Sequence, residues 1–179
     1  SSAQNGLNAS DGLVRTAWEK AQISQNFGGM MALTSNALSS YTSGSTTDRA
    51  GTLNGAPNAT YLAAKDTMQQ TLVLAGLGTG TIKAGDQVTI AGVNRLNVAT
   101  REAILDSAGA QVPWTGTVLE DVTIAGNAAT ITVSGAAINE TNGQYNNVDA
   151  APADGAVVTI LGAASTLYQP NMFYTKQAF

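Results

Sequence analysis

The 179-residue sequence contains no cysteine and no histidine. Zinc, haem and iron–sulfur centres draw most of their ligands from those two side chains, so the usual ligand sets are missing. A Ser-His-Asp relay is excluded on the same ground. The lack of Cys leaves the redox compartment open and says only that no disulfide is needed. Charge is also scarce: Asp, Glu, Lys and Arg make up 11% of the chain, against about 25% in an ordinary soluble domain. The eight Lys and Arg residues are scattered and the net charge is −4. Nucleic-acid binding needs clustered cations to neutralise phosphates, so direct DNA or RNA binding by this chain is not expected. No apolar run approaches the roughly 18 residues of a membrane span. The opening "SSAQNGLNAS" has neither the basic nor the apolar region of a signal peptide, and a membrane is not expected as a partner.

The charge deficit is filled by Ala, Thr, Gly and Asn, which favour short strands and turns over long solvated helices. Hydrophobic residues reach 44%, enough for a packed core. A surface with so few charges favours association. The chain lacks an initiator Met and ends on the apolar, aromatic "YQPNMFYTKQAF", where termini are commonly polar and frayed. The expectation is a piece of a longer polypeptide.

Along the chain, "SDGLVRTAWEKAQIS" places Leu13, Ala17 and Ala21 four apart, with Val14 and Trp18 beside them. That spacing predicts a helix, with Ser10 or Asp11 as N-cap and Gly28 and Gly29 ending the element. "MMALTSNALSSYT" reads as extended structure or a broken strand. Ser43 to Asn58, rich in turn formers, reads as a linker or excursion loop. Then come "QQTLVLAG", "DQVTIAG", "WTGTV", "DVTIAG", "ATITVSG" and "GAVVTILG", short β-branched runs closed by Gly or Asn turns. They predict an antiparallel barrel or sandwich, with a core from about Thr60 to Gly162. The polar "AAINETNGQYNNVDAAPADG" reads as a surface loop.

Candidate chemistry fails on inspection. Gly76, Gly78 and Gly80 follow an apolar strand, as in a phosphate-binding loop. However, position 81 is Thr where a dinucleotide fingerprint needs its third glycine, and Gly85 is followed by Asp86 rather than Lys and then Ser or Thr. No helix follows to hold a phosphate on its amides; the stretch reads as a Gly-Asp turn into the strand from Gln87. Lys65 and Lys83 have no flanking serine for a Ser-Lys pair. Glu120 and Asp121 are adjacent, so in a strand they point to opposite faces. Asp149 and Asp154 lack the spacing of a calcium loop. Trp18 and Trp114 read as core, and the glycosylation-like triplets at Asn8, Asn58 and Asn139 as chance. The residues therefore describe a β-rich, non-catalytic, assembly-prone chain with no cofactor.

One stretch carries more. "AGDQVTIAGV", containing Gly85, Asp86 and Gly92, is followed by Asn97 and Thr100 in an Asn-x-x-Thr loop. This resembles the insertion domain of tailed-phage major capsid proteins, in particular the coat proteins of short-tailed Salmonella phages and their relatives. "LYQPNMFYTKQAF" is similar to that family's returning segment, and "AQISQNFGGMMALTSNAL" to the segment leading into the insertion. One departure is Val98, where the family pattern has proline, which alters the expected shape of that loop. The resemblance implies a mainly β fold: an antiparallel β-barrel insertion domain with flanking α/β segments of the tailed-phage capsid fold. It implies residues 1–45 as an N-terminal flank, 46–165 as the inserted barrel with long surface loops, and 166–179 as a returning strand.

It further implies a structural, non-enzymatic subunit of an icosahedral shell around double-stranded DNA, found in the virion and assembled in the host cytoplasm. The partners would be other copies of itself, a scaffolding protein and a portal. In this setting Asp48, Arg49, Lys65 and Asp66, in or beside the least regular region, are candidate contacts to neighbouring subunits. The segments flanking the barrel, Met30 to Tyr41 and Leu167 to Lys176, should run antiparallel and close. Two other classes share the Thr- and Gly-rich strands: an immunoglobulin-like bacterial adhesin module, and a small-barrel binding domain appended to an enzyme.

Overall fold

The computed structural model describes residues 39–169 and, before them, the backbone of two short strands, β1 (Asn26–Phe27) and β2 (Met30–Met31), which pair antiparallel. The chain forms two compact units, Ser1–Ser39 and Ser40–Phe179. The helix expected after Ser10, with Trp18, lies outside the described residues, as do the apolar flank residues Leu33, Met172 and Phe173.

The described part of the second unit contains a closed, six-stranded antiparallel barrel. Its strands are β4 (Ala50–Leu53), β5 (Gln69–Ala75), β7 (Gln87–Asn94), β8 (Pro113–Val118), β10 (Ala129–Ser134) and β11 (Val157–Ile160), in the order β10-β5-β4-β11-β7-β8. Closure between β8 and β10 comes from Val133 opposite Val118 and Ser134 opposite Thr117, and it leaves no free sheet edge in the barrel. Strict alternation explains the strands. Leu72 and Leu74 of β5, Ile131 and Val133 of β10, and Val158 and Ile160 of β11 point inward and are buried, while their neighbours face water.

Glycines decide two details of the wall. In β7 the inward set is Val88 and Ile90, then Val93, so the period of two slips by one residue. The slip falls at Gly92, whose φ is +77°, and the β7–β8 register shifts there. This is a bulge, in which a glycine takes the left-handed conformation. In β8 the Trp114 ring lies over Gly116, where a Cβ would meet the ring at 2.5 Å. Trp114 is core, as expected, and its Nε1 donates to the Gly135 carbonyl at 2.7 Å.

Three expectations need correction. The stretch from Ser43 to Asn58 is not simply a linker: it contains β4, so the barrel begins at Ala50 and not near Thr60. The strand is hidden because one of its two inward residues is Gly51, which fits closely against Leu77 and the Ala75 carbonyl. "DVTIAG" gives only β9 (Val122–Thr123), which pairs with β6 (Thr81–Ile82) outside the barrel. The polar loop after β10 is not only surface, since Ala136, Ala137, Ile138 and Val148 are buried. Its start packs with Ala59, which bridges to Ile138, and with Ala64 on a single-turn helix, α1 (Tyr61–Ala64), capped by the Thr60 hydroxyl.

Candidate functional site

Beside the barrel, β3 (Tyr41–Thr42) and β12 (Leu167–Tyr168) pair antiparallel, Tyr41 opposite Tyr168 and Thr42 opposite Leu167. The inner ends of the two flanks, Tyr41 and Leu167–Tyr168, thus lie side by side, while most of both segments lies outside the described residues. The tyrosine rings stack with centroids 6.1 Å apart. Two connections join this ribbon to the barrel, residues 43–49 and 161–166. They meet on Asp86.

Asp86 is delivered by a tight turn. Its amide donates to the Lys83 carbonyl at 3.0 Å, and Gly85, the third residue of the turn, has φ +99°. That is a type II geometry, which demands glycine there. From this turn the inward parity of β7 (Val88, Ile90) extends back onto Asp86, which is 2% exposed. A buried carboxylate is tolerated only when its oxygens are well served, and these are. Oδ2 accepts from the amides of Lys83 (2.8 Å) and Gly44 (3.2 Å). Oδ1 accepts from the Tyr41 hydroxyl at 2.5 Å and lies 3.5 Å from the Arg49 guanidinium. Burial, and then the bond to Asp86 and its negative charge, push the Tyr41 phenol well above the usual tyrosine range, with Arg49 opposing.

Arg49 reaches across to the other connection, donating to the carbonyls of Leu161 (3.0 Å) and Gly162 (3.2 Å). Ser43 adds a second tie: its hydroxyl donates to Ala163 O at 2.6 Å and accepts from the Thr166 amide at 3.0 Å. A shallow cleft of about 310 Å³ runs between Tyr41, Asp86, Leu161 and Tyr168. On the far side of the turn, Asp121 accepts from Lys83 Nζ (2.8 Å) and the Ala84 amide (2.9 Å), and these bonds hold its carboxyl below the usual carboxylate range.

The Asn-x-x-Thr motif has a separate, local role. Asn97 Oδ1 accepts from the amides of Ala99 (2.9 Å) and Thr100 (3.3 Å), and the Asn97 carbonyl accepts from Arg101 N at 2.7 Å. Thr100 Oγ1 accepts from Glu102 N at 3.4 Å. The side chain thereby closes a turn in the long excursion between β7 and β8. Val98 sits at its exposed apex.

The family-like residues therefore divide into two places. Gly85 and Asp86 lie at the ribbon junction, and Gly92, Asn97 and Thr100 shape β7 and the excursion after it. Of the four charged candidates, Asp48, Lys65 and Asp66 are exposed. Arg49 has a side chain only 15% exposed, and its guanidinium is engaged within the chain. Sequence reasoning missed Tyr41, Ser43 and Tyr168. Only the inward parity of Asp86 ahead of Val88 and Ile90 carried a signal of the junction.

Comparison with known proteins follows the same lines. The family model described as "P22 coat protein - gene protein 5" matches residues 1–179. A major capsid protein of Acyrthosiphon pisum secondary endosymbiont phage 1 is 45% identical over 97% of this chain, which spans 42% of that protein's length. A solved structure, the CUS-3 coat protein I-domain, is 28% identical, with 63% of this chain and 96% of that chain covered and a TM-score of 0.43. The chain belongs to the P22 coat protein family.

Proposed function

We propose that this chain is the β-barrel portion, with its flanks, of a major capsid protein that assembles with other copies of itself into an icosahedral phage shell. One observation carries the reading: the coat-protein family model matches the chain end to end. The named relative, 45% identical, is itself a major capsid protein. In this reading residues 46–165 are an inserted domain, 1–45 and 166–179 belong to the capsid core, and the role is structural and not enzymatic. The subunit belongs in the virion, is assembled in the host cytoplasm, and meets a scaffolding protein and a portal during assembly. Asp48, Lys65 and Asp66, exposed on the stretch from the β4 approach to α1, serve as contacts to neighbouring subunits. Arg49 is the least available of the four, because its donors are used internally.

The test is expression of the complete subunit carrying this sequence, alone and with its scaffolding partner, followed by electron microscopy. Closed shells of uniform size are expected. A subunit that stays monomeric in both cases, or is found displayed on a cell surface, would sink the reading in favour of an adhesin module or a barrel appended to an enzyme.

A further inference from the structure

The structure contains a carboxylate with more work than its own turn requires. The Lys83 amide alone belongs to that turn. The other groups that meet Asp86, namely the Tyr41 hydroxyl, the Gly44 amide and the Arg49 guanidinium, come from the ribbon and the connection that follows it. Through Arg49 the network reaches Leu161 and Gly162 on the other connection. Ser43 bridges the same two segments, its amide donating to Thr166 O at 3.0 Å. Both connections are thus bound to one buried charge. Swinging the ribbon against the barrel would strip that charge of the Tyr41, Gly44 and Arg49 donors together, and a half-satisfied network around a buried charge is disfavoured.

We infer that Asp86 is a positioning residue that fixes the barrel at one attitude to the β3–β12 ribbon, holding Tyr41 of the ribbon and Gly44 of one connection directly and Leu161 and Gly162 of the other connection through Arg49. The barrel core, built on Leu72, Ile131 and Val133 among others, is closed by its own strand pairing, which does not pass through Tyr41, Gly44 or Arg49. Attitude and folding are therefore separable: the joint can loosen while the barrel stays closed. In a shell the joint would set where the barrel's exposed loops reach. That consequence rests on the proposed function, whereas the joint itself does not.

The experiment uses the 179-residue chain, with Tyr41→Phe, which removes one hydroxyl and keeps the ring, and Asp86→Asn, which keeps the shape and removes the charge. Amide hydrogen exchange is read by NMR at Ser43, Gly44 and Thr166, and residual dipolar couplings are read along β3, β12, β5 and β10. At least tenfold faster exchange is expected at the three junction amides, with the couplings of β5 and β10 still fitting one barrel frame. Residual dipolar couplings from β3 and β12 should cease to fit the barrel's alignment frame. Unchanged exchange at the junction would overturn the inference. So would β3 and β12 couplings that still fit the barrel's frame in both variants, since Asp86 would then only stabilise the fold. If Asp86→Asn does not fold, Tyr41→Phe decides by the same criterion. Absence of shells from the complete parental subunit would remove the shell reading and leave this result standing.

Discussion

At the junction, single residues carry costs that differ in kind. Removing the Asp86 carboxylate leaves two amides and a phenol with no acceptor, and the Arg49 guanidinium without its counter-charge, in a site that is 2% exposed. Breaking a buried pair typically costs about 3–5 kcal/mol. The slight exposure of Arg49 argues for the lower end, so Asp86→Ala should destabilise by about 3 kcal/mol in urea titration. Gly85 fails differently. Its φ of +99° strains any other residue, and an added Cβ would stand 2.9 Å from the Tyr41 ring. The Tyr41 ring cannot give way cheaply, because its hydroxyl is tied to Asp86. Gly85→Val should therefore cost about 1–3 kcal/mol. A thermal melt matching the parent would show that neither the angle nor the contact matters.

Tyr41 also makes stability depend on pH, with a definite sign. Its phenol is held above the usual tyrosine value by burial, by the bond to Asp86 and by that carboxylate's charge. A raised value in the folded state means that the protonated form is favoured on folding. The contribution is fully present below about pH 10, the unfolded tyrosine value, and fades as pH climbs through the higher folded value. The stability gap between the parent and Tyr41→Phe should thus be constant from neutral pH to about pH 10 and shrink above it. Melts in a series of alkaline buffers would read this directly, and a gap that widens with pH would contradict the assignment.

Elements show which parts of the architecture sequence patterning can reach. Strands β5, β7, β8, β10 and β11 were legible because β-branched or aliphatic residues alternate cleanly with polar ones in "QTLVL", "QVTI" and "ATITVS". β4 was not, since "AGTL" offers a glycine at an inward position where the pattern expects a large side chain. The reason is tertiary. Leu77, arriving from the turn after β5, already fills that space, so a Cβ on Gly51 would lie 2.9 Å from the Leu77 side chain and from the Ala75 carbonyl. Similarly, the turn at Gly85 was legible but its consequence was not. Asp86 reads as a solvated turn residue until Tyr41, Gly44 and Arg49 are brought to it from about forty positions earlier in the chain. If β4 is a full wall strand, Gly51→Val should overpack the seam and cost about 1–3 kcal/mol. A neutral substitution in chemical denaturation would mean that β4 peels away without loss.

For the whole molecule, the distribution of charge separates what folds the barrel from what the barrel could touch. The barrel closes on itself, so its wall offers no strand edge to a neighbour, and in the proposed shell contacts from the barrel would fall to side chains on its loops and connections. Asp48, Lys65 and Asp66 are exposed, and none of them makes a salt bridge among the described residues. Their loss should leave the fold alone, since exposed charges contribute about 0–1 kcal/mol each even when paired. Across a symmetric shell the same small terms recur at every equivalent contact. Alanine at all three positions should therefore leave the melting temperature of the 179-residue chain within a degree or two, as expected for surface changes of about 0.5 kcal/mol or less, while lowering the yield of closed shells from the complete subunit. Adding Arg49→Ala should depart from that pattern, because it also removes bonds to Leu161, Gly162 and Asp86 and so lowers the melt itself. The pair of measurements, melt and shell yield, would then sort the four charges into one that holds the joint and three that face a neighbour. Normal shells from the triple variant would remove Asp48, Lys65 and Asp66 from the interface.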